Sequence, residues 1–148
     1  MSLETIINDE MKKAMKAGEK ERLLVIRSIR AEIIKFAKTG SDEAMTEEKE
    51  KAILMTAAKK RRDAIKMYED NNRQEAADKE KAELEIIKEF LPAQLSDEEV
   101  KAAVKALAEK IGAKDAKDFG KLMGMAMKEM KGKTDGSKVQ QYVKEILN

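Results

Sequence analysis

Apolar residues along this chain recur at intervals of three and four, the spacing that lines one face of an α-helix. Leu3, Ile6, Ile7, Met11, Ala14 and Met15 mark the first such face, with Ser2 placed to cap the helix and Gly18 placed to end it. A second helix is predicted from Glu19 to Lys38. Its apolar positions, Leu23, Ile26, Ile29, Ile33 and Ala37 with Leu24, Val25, Ile34 and Phe36 beside them, cover more than one stripe. That width predicts packing against at least two neighbours, which makes this helix the core of the first half. Gly40 and Ser41 open a loop. Thr46, followed by Glu47 and Glu48, then starts a third helix running to Asp70 through Ile53, Ala57, Ala64, Ile65 and Tyr68. Asn71 and Asn72 break it. Asn72 with Glu75 three residues later has capping-box spacing and predicts a fourth helix carrying Ala77, Leu84, Ile87 and Leu91, ended by Pro92. The third and fourth helices are expected to form a hairpin.

Pro92–Leu95 is the boundary that the pattern supports, dividing the chain into an N-terminal helical domain, 1–92, and a C-terminal domain, 93–148. Ser96-Asp97-Glu98-Glu99 is a full capping box for a fifth helix, whose stripe is Val100, Ala103, Val104, Leu107, Ala108 and Ile111 before Gly112. Asp115 is placed to cap a sixth helix over Asp118–Met130. Phe119, Leu122, Met123, Ala126, Met127 and Met130 form its core face, with Met125 off the stripe and exposed. Val139, Tyr142, Val143, Ile146 and Leu147 give a seventh helix. The expected class is all-α: a multi-helical, N-terminal helical-hairpin part and a small C-terminal three-helix domain. No internal repeat interrupts this order.

Composition agrees. Hydrophobic residues make up 42% and charged residues 41% of 148, with few aromatics, one Pro and seven Gly. Such a mixture favours straight-chain helix formers over strand formers. There is no Cys and no His, which removes thiolate chemistry, the usual general base and the commonest metal ligand. No cofactor or metal is expected. Glu4, Asp9 and Glu10 deny the N-terminus the apolar core of a signal peptide, and no uncharged run approaches ~18 residues. A cytoplasmic protein with no membrane partner is expected.

Charge adds a local asymmetry. The whole chain carries +2, whereas from Lys110 onward nine lysines face five acids. A basic tail attracts phosphate, although lysine-rich solvated faces are also common. The densest basic run, Lys59-Lys60-Arg61-Arg62, splays around nearly the whole helix, so it cannot address one ligand. It is expected to be a solvated face paired with nearby acids such as Asp63 and Glu69. Gly132-Lys133-Thr134 resembles the end of a phosphate-binding loop, but the first glycine of that motif would have to stand where Met127 does, inside a helix, so a nucleotide loop is excluded. No carboxylate pair is singled out and no nucleophile–base grouping exists, so catalysis by this chain alone is not expected.

Gly120 and Gly124 differ in kind. Each glycine inside a helix costs about 1 kcal/mol relative to alanine, and two of them four apart share a face. Something that comes close would offset that cost: either another helix packed backbone to backbone, or a nucleic-acid backbone with Lys121, Lys128 and Lys131 around it. In the turn Lys131–Lys138, Asp135 caps the seventh helix with its own carboxylate and so occupies the amides that a phosphate would use. Phosphate binding there would rest on Lys131, Lys133 and Lys138 as point charges.

The pattern Phe119-Gly120-x-Leu122-x-Gly124, Met127-Lys128, Lys131-Gly132-Lys133-Thr134-Asp135-Gly136 and Val139 resembles the tail domain of GatB, a subunit of tRNA-dependent amidotransferase. Upstream, Arg61-Arg62-Asp63, Asn72-Arg73, Lys81-x-Glu83-Leu84 and Leu91-Pro92-x-Gln94-Leu95 resemble the free-standing YqeY proteins, which carry such a tail. The likeness to YqeY covers essentially the whole chain. It implies an all-α, two-part protein attached to glutamine-dependent amidation of mischarged tRNA. The partner implied is tRNA or another structured RNA, with Gly120, Lys121, Gly124, Lys128, Lys131, Gly132, Lys133 and Lys138 as the contact residues. The catalytic cradle of GatB is missing, so a carbon–nitrogen ligase label with glutamine as amido donor would belong to partner subunits. The alternative is a scaffold for a helical protein partner.

Overall fold

The computed structural model of the chain describes residues 2–39 and 44–148. Gly40 and Ser41, expected to open a loop, lie outside the described residues. Regular structure among the described residues is helical throughout: seven α-helices and one 3₁₀ turn. They divide into two compact units, Met1–Leu91 and Pro92–Asn148.

In the first unit, α1 (Leu3–Ala17) begins where the Ser2 side chain accepts from the Thr5 amide and ends at Gly18 in the left-handed conformation. α2 (Lys20–Ala37) packs against α1, α3 (Glu47–Asp70) and α4 (Gln74–Lys88), the several neighbours that its apolar width requires. Its Val25, Ile26, Ile29 and Ile33 are buried together with Ile7, Leu54, Ala58 and Ile87. Full burial of each large aliphatic side chain contributes about 1.5–3 kcal/mol. Leu24 does not join them. It is 58% exposed, because two residues before Ile26 point about 160° away from it on a helix. Met15 is likewise exposed.

α3 starts at Thr46, whose side chain accepts from the Lys49 amide, and its Glu50 accepts from the Leu3 amide at 3.0 Å. The link to α4 differs from the expected cap. Asn72 takes a left-handed conformation, φ 58°, which its short polar side chain tolerates, and Arg73 occupies the N-cap without a side-chain hydrogen bond. Asn72 therefore turns the chain rather than capping it. α4 also stops at Lys88, a turn before Pro92. Proline disfavours helical geometry in the residue before it, and the carbonyls of Ile86, Ile87 and Lys88 are taken up by i+3 amides of Glu89, Phe90 and Leu91.

Charged pairs fasten this unit between helices. Arg22 on α2 bonds Glu10 of α1 at 2.8 Å and Glu89 just past α4. Arg61 of the basic run reaches across to Glu83 at 3.1 Å and Glu80 at 3.5 Å on α4, and Glu69 pairs with Lys81 at 2.7 Å. The basic run is thus not merely paired with acids on its own helix, because Arg61 lies on the side of α3 that faces α4.

The second unit holds α5 (Asp97–Ile111), α6 (Phe119–Met130) and α7 (Gly136–Leu147) around Val100, Val104, Leu122, Ala126, Val139 and Val143. The capping box at Ser96 and Glu99 is formed on both sides, and Gly112 ends α5. Asp115 caps the 3₁₀ turn Ala116–Asp118 rather than α6 itself, accepting from the Lys117 amide at 2.9 Å. Asp118 accepts from the Lys114 amide, and that bond holds its carboxyl below the ordinary range.

Two acids give this fold opposite pH responses. Hydrogen bonds from Lys13 and Arg22 lower the Glu10 pKa, so its stabilisation is present above pH 4.5 and is lost as pH falls through the depressed folded value. Burial, and then the charge of Glu83, raise that of Glu80, so ionising Glu80 costs stability once pH rises above 4.5, with the attraction of Arg61 already counted. Glu80→Gln should raise Tm at pH 7, and the gain should vanish below pH 4.5; thermal melts across that range check it. Arg22→Ala should cost about 1–2 kcal/mol in urea denaturation at pH 7.

Candidate nucleic-acid interface

α6 presents two faces. Leu122, Ala126 and Met130 are buried, whereas Gly120 and Gly124 are exposed, and a Cβ built at either glycine meets nothing within 4 Å. Within the second unit, then, no other helix lies against the glycine pair. The second unit supplies no close neighbour to offset Gly124 in the helix interior and Gly120 in its first turn. At 100° per residue, Gly120, Gly124, Lys128 and Lys121 fall within about 100° of arc, so the bare backbone is bordered on one side by two exposed lysines. Met127 borders it on the other. Instead of joining the core as expected, Met127 is 37% exposed, and its Cε would lie 3.3 Å from a Cβ placed on Gly136. Met125, expected to be exposed, is half-buried.

Beyond α6 the chain turns sharply. Lys131 leaves the helix with ψ 125°, and Gly132 takes φ 81°, a left-handed conformation that a side chain would strain. The Lys133 amide returns to the Met130 carbonyl at 3.0 Å. This turn is held from the start of the unit. The Gln94 side-chain amide donates to the Gly132 carbonyl at 2.9 Å and to the Pro92 carbonyl at 2.7 Å, while the Leu95 amide donates to the Lys133 carbonyl at 2.8 Å. Thr134 is buried. The segment that resembles a nucleotide loop is therefore a clamped structural turn, with Gly132 enclosed inside it.

At α7, Asp135 accepts from the Ser137 amide at 3.3 Å and from its hydroxyl at 2.8 Å, so a carboxylate rather than a phosphate serves the helix start. Lys138 is drawn into an ion pair with Asp97 of α5. Lys121, Lys128, Lys131 and Lys133 are exposed, and no salt bridge forms at any of them among the described residues. The eight expected contact residues thus separate into three groups: the glycine face with Lys121 and Lys128, the exposed Lys131 and Lys133 on the turn, and Gly132 and Lys138, which are engaged within the fold. Gln94 carries no sequence signal for its role, since its partner is 38 residues away.

With open space around them, Gly120→Ala and Gly124→Ala should each raise stability by up to about 1 kcal/mol, whereas Gly132→Ala should lower it. Chemical denaturation of the three variants checks the contrast.

No helix among the described residues is long and apolar enough to cross a membrane. The family model for Yqey-like protein matches residues 4–147. "Altered inheritance of mitochondria protein 41, mitochondrial" from Pyrenophora tritici-repentis (strain Pt-1C-BFP) is similar to this chain at 30% identity, over 93% of the chain and 77% of that relative. The chain belongs to the YqeY-like family.

Proposed function

We propose that the chain is a non-catalytic accessory protein that binds structured RNA, tRNA foremost, in connection with tRNA-dependent amidation. The bare glycine face of α6, bordered by Lys121 and Lys128, is the observation that carries this reading. A sugar–phosphate backbone can approach a helix most closely where side chains are missing, and the lysines there and at Lys131 and Lys133 balance its charge. Such contacts read backbone shape rather than base sequence. The likeness of the tail to that of GatB supports the choice of tRNA. Any transfer of nitrogen from glutamine would be the work of partner subunits. The compartment in this reading is the cytoplasm; the relative's name assigns that protein to mitochondria.

Exposed Met127 beside the glycines favours a second reading, in which a helical protein partner packs on the same face. Fluorescence anisotropy with labelled tRNA separates the two. Four lysine contacts should make affinity fall about a hundredfold between about 50 and 200 mM salt. Gly124→Ala, though more stable, should bind more weakly, and Lys131→Glu with Lys133→Glu more weakly still. Tight tRNA binding that these changes leave untouched removes the face from the account. A partner retained from lysate after nuclease treatment, and lost in Gly124→Glu, supports the protein reading.

A further inference from the structure

The first unit contains a cleft of about 320 Å³ between α2 and α3, within the size range of small-molecule sites. Its floor is apolar, made by Ile29, Phe36, Ile53 and Ala57. Lys49, Lys60 and Arg61 also line it, against the carboxylate of Glu32. These cations are not equivalent. Arg61 turns its guanidinium to Glu80 and Glu83, and Lys49 sits 5.0 Å over the Phe36 ring and donates to the Ala44 carbonyl. Lys60 is exposed and forms no ion pair among the described residues. The Ser28 hydroxyl is spent on the Val25 carbonyl at 2.6 Å. From Lys60 to Lys49 the cleft follows eleven residues of helix, about 16 Å.

We propose that this cleft binds a small organic carboxylate, its head on Lys60 and its apolar body along Ile29, Ile53 and Ala57 toward Phe36. Charge complementarity at Lys60 selects an anion over a neutral hydrocarbon. Glu32, one turn before Phe36 on α2, repels a second negative charge along the cleft and so disfavours a polyanion such as RNA. The site is separate from the glycine face of α6 and does not depend on RNA binding there.

The test uses 2-naphthoate and its neutral counterpart 2-naphthalenemethanol, titrated into the ¹⁵N-labelled full chain and followed by amide chemical shifts. Naphthoate should saturate, with shifts centred on the cleft residues of α2 and α3, and should bind about tenfold more tightly than the alcohol. Lys60→Glu should weaken naphthoate about tenfold and leave the alcohol unchanged. Ala57→Leu, or Ala52→Leu at an exposed lining position, should weaken both probes by filling the space. Equal affinity for the two probes means an apolar occupant and overturns the proposal. So does failure of naphthoate to saturate, or shifts centred elsewhere.

Discussion

Ile26 and Ile29 impose the constraint on which the first unit depends. They lie on a helix whose apolar surface is too wide for one neighbour, so α1, α3 and α4 must all close on it. With few aromatics in the chain, no single large side chain can fill the interior. The core is built from many aliphatic contacts whose separate contributions are modest. Interhelix pairs then set register over this interior. Arg22 ties α1, α2 and the end of α4, and Arg61 ties α3 to α4. Glu80 is the cost of that arrangement, a second carboxylate held beside Glu83 and partly out of water.

The second unit solves the same problem with shorter helices and a pinned turn. Its apolar stripes meet in one cluster, while the opposite side of α6 sets two bare glycines beside the exposed Lys121 and Lys128. Helices of this length gain most of their stability from packing rather than propensity, so two exposed glycines weaken α6 without a structural return inside the second unit. A partner packed on that face would supply the return. Beside Lys121 and Lys128, such a partner would be favoured by negative charge.

Most of the fold was legible because helix periodicity and end signals are local. Ser2, Thr46, Ser96 and Asp135 all act as caps, and Gly18 and Gly112 end their helices. What could not be read depends on distant residues or on competition between local options. Asn72 has the composition of a cap and also of a left-handed turn, and the second use prevails. Met127 matches the spacing of a core residue yet lies at the margin of the buried arc. At the candidate site, the exclusion of a nucleotide loop and the capping by Asp135 were evident from residue type. The emptiness around Gly120 and Gly124, the pairing of Lys138 with Asp97 and the clamp from Gln94 all require three-dimensional neighbours.

That clamp has a bearing on where the second unit begins as an object that can be handled. Its first helix starts at Asp97, yet the turn between α6 and α7 is fastened by groups at 94 and 95, and Gln94 is itself braced on the carbonyl of Pro92. A fragment cut at the helix boundary would carry all three helices and still release the Gly132 and Lys133 carbonyls. The smallest piece that keeps its own turn intact starts at the proline, five residues ahead of the first helix.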